Sequence, residues 1–232
     1  MTPRFSPIID VSSRSLPTVG LAPAYWLLAL AMLMTGVGVA LGATFALPLL
    51  ASNLVFLLFL VEFGIIFTAP SWVHRSPLNI ILFIAFPLLS GLTITPFLLS
   101  VAYQYANGAV ILLNATISTV LLSASAAVFA SFSRDDLSRR YGFFVFQALI
   151  GLIVFGLLQM FIPSLRGTAF EMIVSGVGIV TFTLFLAIDI QRLQRLGRAE
   201  SPFLLALSLY LDVFNLFLYV VRFMIAISGR RR

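Results

Sequence analysis

Three carboxylates lie inside long apolar stretches, where a charged side chain is costly. Glu62, Asp189 and Asp212 are each flanked by runs of Leu, Val, Ile and Phe. An ionised side chain at the centre of a membrane helix costs roughly 2.5–3.5 kcal/mol on insertion scales. Such residues therefore turn toward the interior of a helix bundle and are candidates for ion or proton chemistry. The alternative to a functional role is that each carboxyl group is merely neutralised, or that it lies near the membrane surface.

Asp189 and Asp212 are predicted to face each other. Each lies about 11–12 residues from a turn near Glu200, one before it and one after it. At a rise of 1.5 Å per residue, both carboxylates sit roughly 16–18 Å from that turn. Two close carboxylates in a low dielectric cannot both ionise cheaply, so they share a proton or bind a cation when both are ionised. The spacing therefore predicts either a proton-sharing pair or a cation site, without indicating which cation.

A polar seam runs along the helix that carries Asp212. Its members are spaced four, three, four and three residues apart, which places them on one helical face. They are Ser208, Asp212, Asn215, Tyr219 and Arg222. A polar face cannot meet lipid, so we predict that this last helix is central. The seam then either lines an internal path or serves only to hydrogen-bond neighbouring helices.

The composition is that of a polytopic membrane protein. The chain has 232 residues, of which 61% are hydrophobic and 9% are charged. Soluble domains have about 45–50% apolar and about 25% charged residues. A soluble enzyme is excluded, and so is a disordered chain, because disorder requires low hydrophobicity and high charge.

Several kinds of chemistry are excluded by residue counts. Cysteine is absent, which rules out disulfides, thiolate metal sites and cysteine nucleophiles. Lysine is absent, which rules out Schiff bases, and one histidine cannot build a multi-histidine metal site. The net charge of +6 comes from arginines in short loops and near the ends, which indicates membrane orientation and not nucleic-acid binding. We expect no cofactor and no enzymatic activity.

Stretches of about 20 apolar residues predict an all-α bundle of seven membrane helices in residues 21–228. A polar N-terminal arm (1–20) precedes the bundle and a basic tail (229–232) follows it. The predicted spans are 24–46, 53–73, 78–101, 108–131, 141–162, 168–190 and 203–227. In the first span, Gly38 and Gly42 form a pair of small residues that favours close helix packing.

The distribution of arginines predicts the orientation. Nine arginines lie on the N-terminal side of the predicted bundle and four on the other. The positive-inside rule then puts the N-terminus in the cytoplasm, although the basic tail argues weakly the other way. Compact loops and a short arginine-rich tail favour a bacterial cytoplasmic (inner) membrane.

The last two predicted helices resemble those of the Bax inhibitor-1 family, also called transmembrane BAX-inhibitor-motif proteins. The resemblance rests chiefly on Phe185–Asp189 and on the block Leu207–Phe217, which reads Leu-Ser-Leu-Tyr-Leu-Asp-Val-Phe-Asn-Leu-Phe. It continues through Leu60–Glu62, Ser90–Thr93 with Pro96, and Asp136–Ser138. The resemblance implies a seven-helix bundle with the last helix at its centre. Bacterial members are pH-sensitive calcium leak channels.

The resemblance also implies roles for individual residues. The di-aspartyl sensor of the family corresponds to Asp189 and Asp212, and its second-helix glutamate corresponds to Glu62. The family's latch arginine falls on Val73 by gapless counting from Glu62. The latch is therefore missing here, or it is rebuilt with His74 or Arg75, which follow directly.

Three functional hypotheses follow. The first is a pH-sensitive calcium leak channel in which Asp189 and Asp212 sense pH, form the gate and bind calcium transiently, because hard oxygen ligands suit calcium. The second is a membrane regulator without transport of its own, which binds a partner such as a membrane protease or a cell-death protein. The third, an intramembrane aspartyl protease, is disfavoured because Leu211 stands where the Gly-Asp motif of such enzymes needs glycine. The expected partners are the lipid bilayer, calcium ions and a membrane protein.

Overall fold

The computed structural model describes residues 22–44, 54–196 and 200–228. The predicted N-terminal arm, the basic tail and Arg198 lie outside these described residues. Every regular element in the described ranges is helical.

The described part of the chain contains eight α-helices. They are α1 (Ala22–Thr44), α2 (Leu54–Phe67), α3 (Ala69–Trp72), α4 (Leu78–Gln104), α5 (Gly108–Phe132), α6 (Leu137–Phe161), α7 (Thr168–Leu196) and α8 (Pro202–Ser228). A short 3-10 helix, Pro163–Arg166, joins α6 to α7. Six of these helices are long and apolar enough to cross a membrane: α1, α4, α5, α6, α7 and α8. The predicted all-α membrane architecture is confirmed, but the predicted count of seven spans is not.

The difference lies in the second predicted span, 53–73, which forms two helices. Helix α2 has 14 residues and is about 21 Å long, shorter than the roughly 30 Å hydrocarbon layer. The helix breaks at Thr68, just before Pro70, which enters the first turn of α3. Proline has no amide hydrogen to continue the α2 ladder, but it is tolerated in a first turn. A count of apolar residues does not detect such a break, so it predicted one continuous span.

Side chains bond to the carbonyls around the break. Thr68 Oγ1 donates to the carbonyl of Gly64 at 2.6 Å. The indole of Trp72, which is 2% exposed, donates to the carbonyl of Ile65 at 3.0 Å. These bonds fold α3 back against the end of α2 and fix the start of the α3–α4 loop.

Helix α8 is the most enclosed of the long helices, and α6 is the least. It packs against α1, α4, α5 and α7. Its contact with α7 is the most extensive after that between α1 and α4. The C-terminal helix therefore has the central place that its polar seam predicted.

Helices α1 and α4 approach closely because glycine faces glycine. A Cβ atom added to Gly38 would collide with the carbonyl oxygen of Leu88 and approach the Cα of Gly91. One turn further along α1, a Cβ on Gly42 would collide with the side chain of Thr95. Without a hydrophobic force between helices in lipid, such close van der Waals contact is a main source of association.

Substituting Gly38 with Ala should therefore destabilise the bundle by about 1–3 kcal/mol, the usual cost of overpacking. Gly36→Ala is the matched control, because a Cβ at Gly36 meets nothing within 4 Å. The measurement is thermal unfolding of the purified protein in detergent. Equal melting temperatures for the two variants would contradict the glycine contact.

Candidate functional site

The structure brings Asp189 of α7 and Asp212 of α8 together. Their carboxyl groups lie within hydrogen-bonding reach of each other. Asp212 is 7% exposed, and Asp189 is partly buried. A hydrogen bond between two carboxyl groups requires that one of them carries a proton. The hairpin of α7 and α8 thus positions a pair that can hold one proton between two acidic side chains.

The two aspartates differ in their other partners. Ser208, one turn before Asp212 on α8, donates a hydrogen bond to Asp189 Oδ2. The Oδ2 atom of Asp212 is buried and has no hydrogen-bond partner among the described residues. A buried carboxylate oxygen without a partner is costly, and it is the atom most available to a proton or a cation.

Three members of the polar seam of α8, Ser208, Asp212 and Tyr219, contact α7, whereas Arg222 at its end is exposed. Two turns beyond the aspartates, the Tyr219 ring stacks on Phe182 with centroids 5.5 Å apart. The same ring occupies the space over Gly178, where a Cβ would collide with it. The Arg222 guanidinium lies over the Tyr219 ring, 5.7 Å from its centroid, and Asn215 Nδ2 donates to the carbonyl of Leu211 at 2.8 Å.

An ion pair that the sequence analysis missed lies next to the aspartates. Arg192 donates through Nη2 at 2.7 Å and Nε at 3.2 Å to Glu200 Oε1. Both residues are close enough to Asp189 to interact with it electrostatically. Glu200 Oε2 is buried without a hydrogen-bond partner in the described part of the chain. The three-residue spacing from Asp189 to Arg192, which places both on one helical face, was the available signal.

His74 and Arg75, the predicted latch residues, lie in the exposed loop between α3 and α4. Neither forms a hydrogen bond or salt bridge through its side chain to a described residue. Val73, where the resemblance would place an arginine, is 2% exposed. Its carbonyl accepts a hydrogen bond from Ser201 Oγ at 3.2 Å, which ties this loop to the start of α8. The cation that the structure places beside the aspartates is Arg192.

Glu62 belongs to a separate polar cluster between α2 and α4. It is 8% exposed, and its carboxyl group accepts from Thr93 Oγ1 at 2.5 Å and contacts Ser90 Oγ at 2.8 Å. The structure therefore does not place the three predicted carboxylates in one site. In the described ranges no group of three or more metal-binding side chains comes together. Any cation at the aspartate pair would rely on two carboxylates and on oxygens from Ser208, backbone or water.

Gln191, two residues after Asp189, fixes the end of α7 to the loop between α5 and α6. Its amide nitrogen donates to the carbonyl of Asp135 at 2.8 Å, and its amide oxygen accepts from the Leu137 backbone N–H at 2.9 Å. Gln191 is 4% exposed, so these backbone groups have little access to water. No periodicity in the sequence singles out this glutamine.

Gln191→Leu should cost about 1–3 kcal/mol, because it leaves buried backbone groups without partners. Gln194→Leu is the matched control, since exposed Gln194 bonds only to Ser131 at the surface. Chemical unfolding in detergent measures both. A Gln191→Leu protein as stable as the Gln194→Leu protein would show that the clamp is not structural.

Known proteins resemble this chain over most of its length. Residues 20–230 match the family described as inhibitor of apoptosis-promoting Bax1. An uncharacterized protein of Campylobacter jejuni is 34% identical over 210 residues, covering 89% of this chain and 87% of that protein. The inner membrane protein YbhL of Escherichia coli K12 is 26% identical over 200 residues, covering 80% of each chain. Protein lifeguard 4 of the mouse is 28% identical over 167 residues, covering 72% of this chain and 66% of the mouse protein.

The match spans nearly all of the described helices, including α7 and α8 with the aspartate pair. It agrees with the resemblance read from the last two helices, and six apolar helices place the protein in a membrane. The chain is an integral membrane protein that belongs to the Bax inhibitor-1 family.

Proposed function

We propose that the protein is a pH-sensitive calcium leak channel in which Asp189 and Asp212 form the gate and sensor. The observation that carries the proposal is the buried contact between these two carboxyl groups, with one oxygen of Asp212 unpartnered. The same oxygens can accept a proton or a hard divalent cation, but not both at once. Protons and calcium therefore compete for the pair, and acidification lowers its calcium occupancy.

The pathway is proposed to follow the seam of α8. Asn215 and Arg222 continue the polar face from the aspartates toward the far end of that helix. Glu62 lies on another side of α8. When its carboxyl group is ionised, it adds negative charge to the electrostatic field that a permeating cation meets. Because α8 is enclosed by four helices, a path along its surface would be shielded from lipid.

Arg192 is proposed to take the electrostatic role that His74 or Arg75 was expected to have. Its positive charge lies one turn from Asp189 and opposes a cation there, while Glu200 holds it in place. The loop carrying His74 and Arg75 is tied to the same turn through Ser201, so it can still respond to movement of α8.

The proposed membrane is a bacterial inner membrane, with the N-terminus and the α7–α8 turn in the cytoplasm. The arginine distribution supports this orientation. The name of the Escherichia coli relative supports the location.

A membrane regulator that acts by binding a partner protein is the second candidate. It is favoured by the names of two kinds of relatives: the matching family, inhibitor of apoptosis-promoting Bax1, and the Golgi anti-apoptotic protein of vaccinia virus, which is 29% identical over 168 residues. A regulator of this kind would co-purify with a stable partner and pass no calcium on its own.

Calcium entry into liposomes that contain the purified protein tests the first candidate. Wild-type flux should change over a range of about pH 5 to 8, and Asp189→Asn/Asp212→Asn should abolish that pH dependence, since two amides hold no titratable proton. Asp135→Asn, at an exposed aspartate that pairs with Arg140, is the control and should behave as wild type. Equal pH dependence in the double variant would overturn the assigned sensor.

Arg192→Gln should strengthen calcium binding about tenfold, because it removes an opposing positive charge one helical turn from Asp189, and a tenfold change corresponds to about 1.4 kcal/mol. Arg195→Gln is the matched control. Arg195 lies one turn further along α7 but pairs with Asp136 at 3.1 Å, away from the aspartate pair. Calcium titration of the protein in detergent measures both variants. An equal gain in both would mean that general surface charge, and not the place of Arg192, sets the affinity.

A further inference from the structure

A cluster of hydroxyl groups from three helices surrounds Glu62. The carboxyl group of α2 meets Ser90 and Thr93 of α4. The Tyr210 hydroxyl of α8 lies near Ser90 and is 2.8 Å from Thr35 Oγ1 of α1. Glu62, Ser90 and Tyr210 are buried, with 8%, 2% and 0% exposure. The cluster thus joins four helices through polar side chains, three of which are buried and two, Thr35 and Thr93, partly buried.

The cluster has four hydroxyl protons but five hydrogen-bond contacts that each need one. Thr35 donates to the carbonyl of Ala31 at 3.0 Å, so the proton in the contact between Thr35 and Tyr210 comes from Tyr210. The Thr93 proton goes to Glu62 Oε1. Ser90 has one proton but two acceptors, the Phe86 carbonyl at 3.1 Å and Glu62 Oε2 at 2.8 Å.

A proton on Glu62 Oε2 resolves this shortage. Glu62 then donates to Ser90 Oγ, and Ser90 donates to the carbonyl of Phe86. Every contact in the cluster holds its own proton, and no buried acceptor competes with another for the same donor. Without that proton, the Ser90 hydroxyl would be divided between the Phe86 carbonyl, which also accepts a helical N–H, and Glu62 Oε2, so the buried carboxylate would be the less satisfied of the two.

The charges around the cluster agree with a neutral Glu62. The three salt bridges found in the described ranges are Arg140–Asp135, Arg192–Glu200 and Arg195–Asp136, and none involves Glu62. The groups near Glu62 on α4 and α8 are hydroxyls, and Tyr210 is the titratable one among them; Thr35 of α1 contacts Tyr210. A buried carboxylate with no cation beside it is expensive, whereas a buried carboxylic acid with satisfied hydrogen bonds is not.

We propose that Glu62 is a proton-binding site, closed by Ser90 and Thr93 and continued through Tyr210 to Thr35. This site is distinct from the aspartate pair. Tyr210 and Asp212 are two residues apart on α8, about 200° around the helix, so the two sites face different neighbours. The inference does not depend on calcium transport, because it concerns the occupancy of Glu62 in the resting protein.

The consequence for the fold is that one proton links α2 to the rest of the bundle. Helix α2 is short, and its main partner in the described part is α4. The bond from Glu62 to Ser90 is a polar contact across that interface. Loss of the proton would leave an anion between α2 and α4, which would favour either separation of the helices or entry of a cation.

Infrared spectroscopy of the full chain in lipid bilayers at about pH 7 tests the proposal. The chain has three glutamates, Glu62, Glu171 and Glu200. Labelling with carbon-13 glutamate should shift a protonated carboxylic acid band, which separates it from any aspartate signal. That isotope-sensitive band should be lost in Glu62→Gln and kept in Glu171→Gln and Glu200→Gln. Ser90→Ala should move the band to higher frequency, because the acid loses its hydrogen-bond acceptor.

Absence of an isotope-sensitive acid band in the wild-type protein would overturn the proposal without any variant. If Glu62→Gln does not fold, the band must persist in both Glu171→Gln and Glu200→Gln, which leaves Glu62 as its source. Loss of the band in either of those two variants would assign the proton elsewhere. A leak assay on the same preparations reports separately on calcium transport.

Discussion

The structure depends on one constraint: polar side chains placed between apolar helices must find their partners within the protein. The polar side chains of α8 find different partners on different sides of the helix. Ser208 and Asp212 meet Asp189 of α7 on one side, and Tyr210 meets Thr35 of α1 on another. A helix with polar groups on several sides cannot lie at the lipid boundary, because hydrocarbon offers no hydrogen bonds. The central place of α8 follows from this requirement.

The same constraint gives the aspartate pair its chemistry. Two acids held together away from water are satisfied by one proton, and when that proton leaves, a cation is the alternative. Arg192 and Glu200 add a fixed charge pair at the edge of this site, and Gln191 fixes the backbone that carries it. The surroundings of the pair therefore come from α7 and the α7–α8 turn, and less from His74 and Arg75, which lie in an exposed loop.

Much of this arrangement could be predicted from residue spacing. Equal distances from a hairpin turn placed Asp189 level with Asp212, and the polar seam of α8 predicted the central place of that helix, although Arg222 at the end of the seam is exposed. Glycine spacing likewise pointed to Gly38, which packs on α4. Such features depend on helix geometry alone.

The break at Thr68 was missed because a hydropathy average does not detect the missing amide hydrogen of Pro70. The Arg192–Glu200 pair depends on how the turn folds back, and Glu62 has hydroxyl partners from distant segments, which no local pattern specifies.

We propose that protons and calcium compete for the oxygens of Asp189 and Asp212. Proton release on addition of calcium to the purified protein, in weakly buffered detergent solution, tests this competition. Each calcium ion bound by the wild-type protein should release about one proton, and Asp189→Asn/Asp212→Asn should release none. Calcium binding without proton release, or equal release from the double variant, would contradict it.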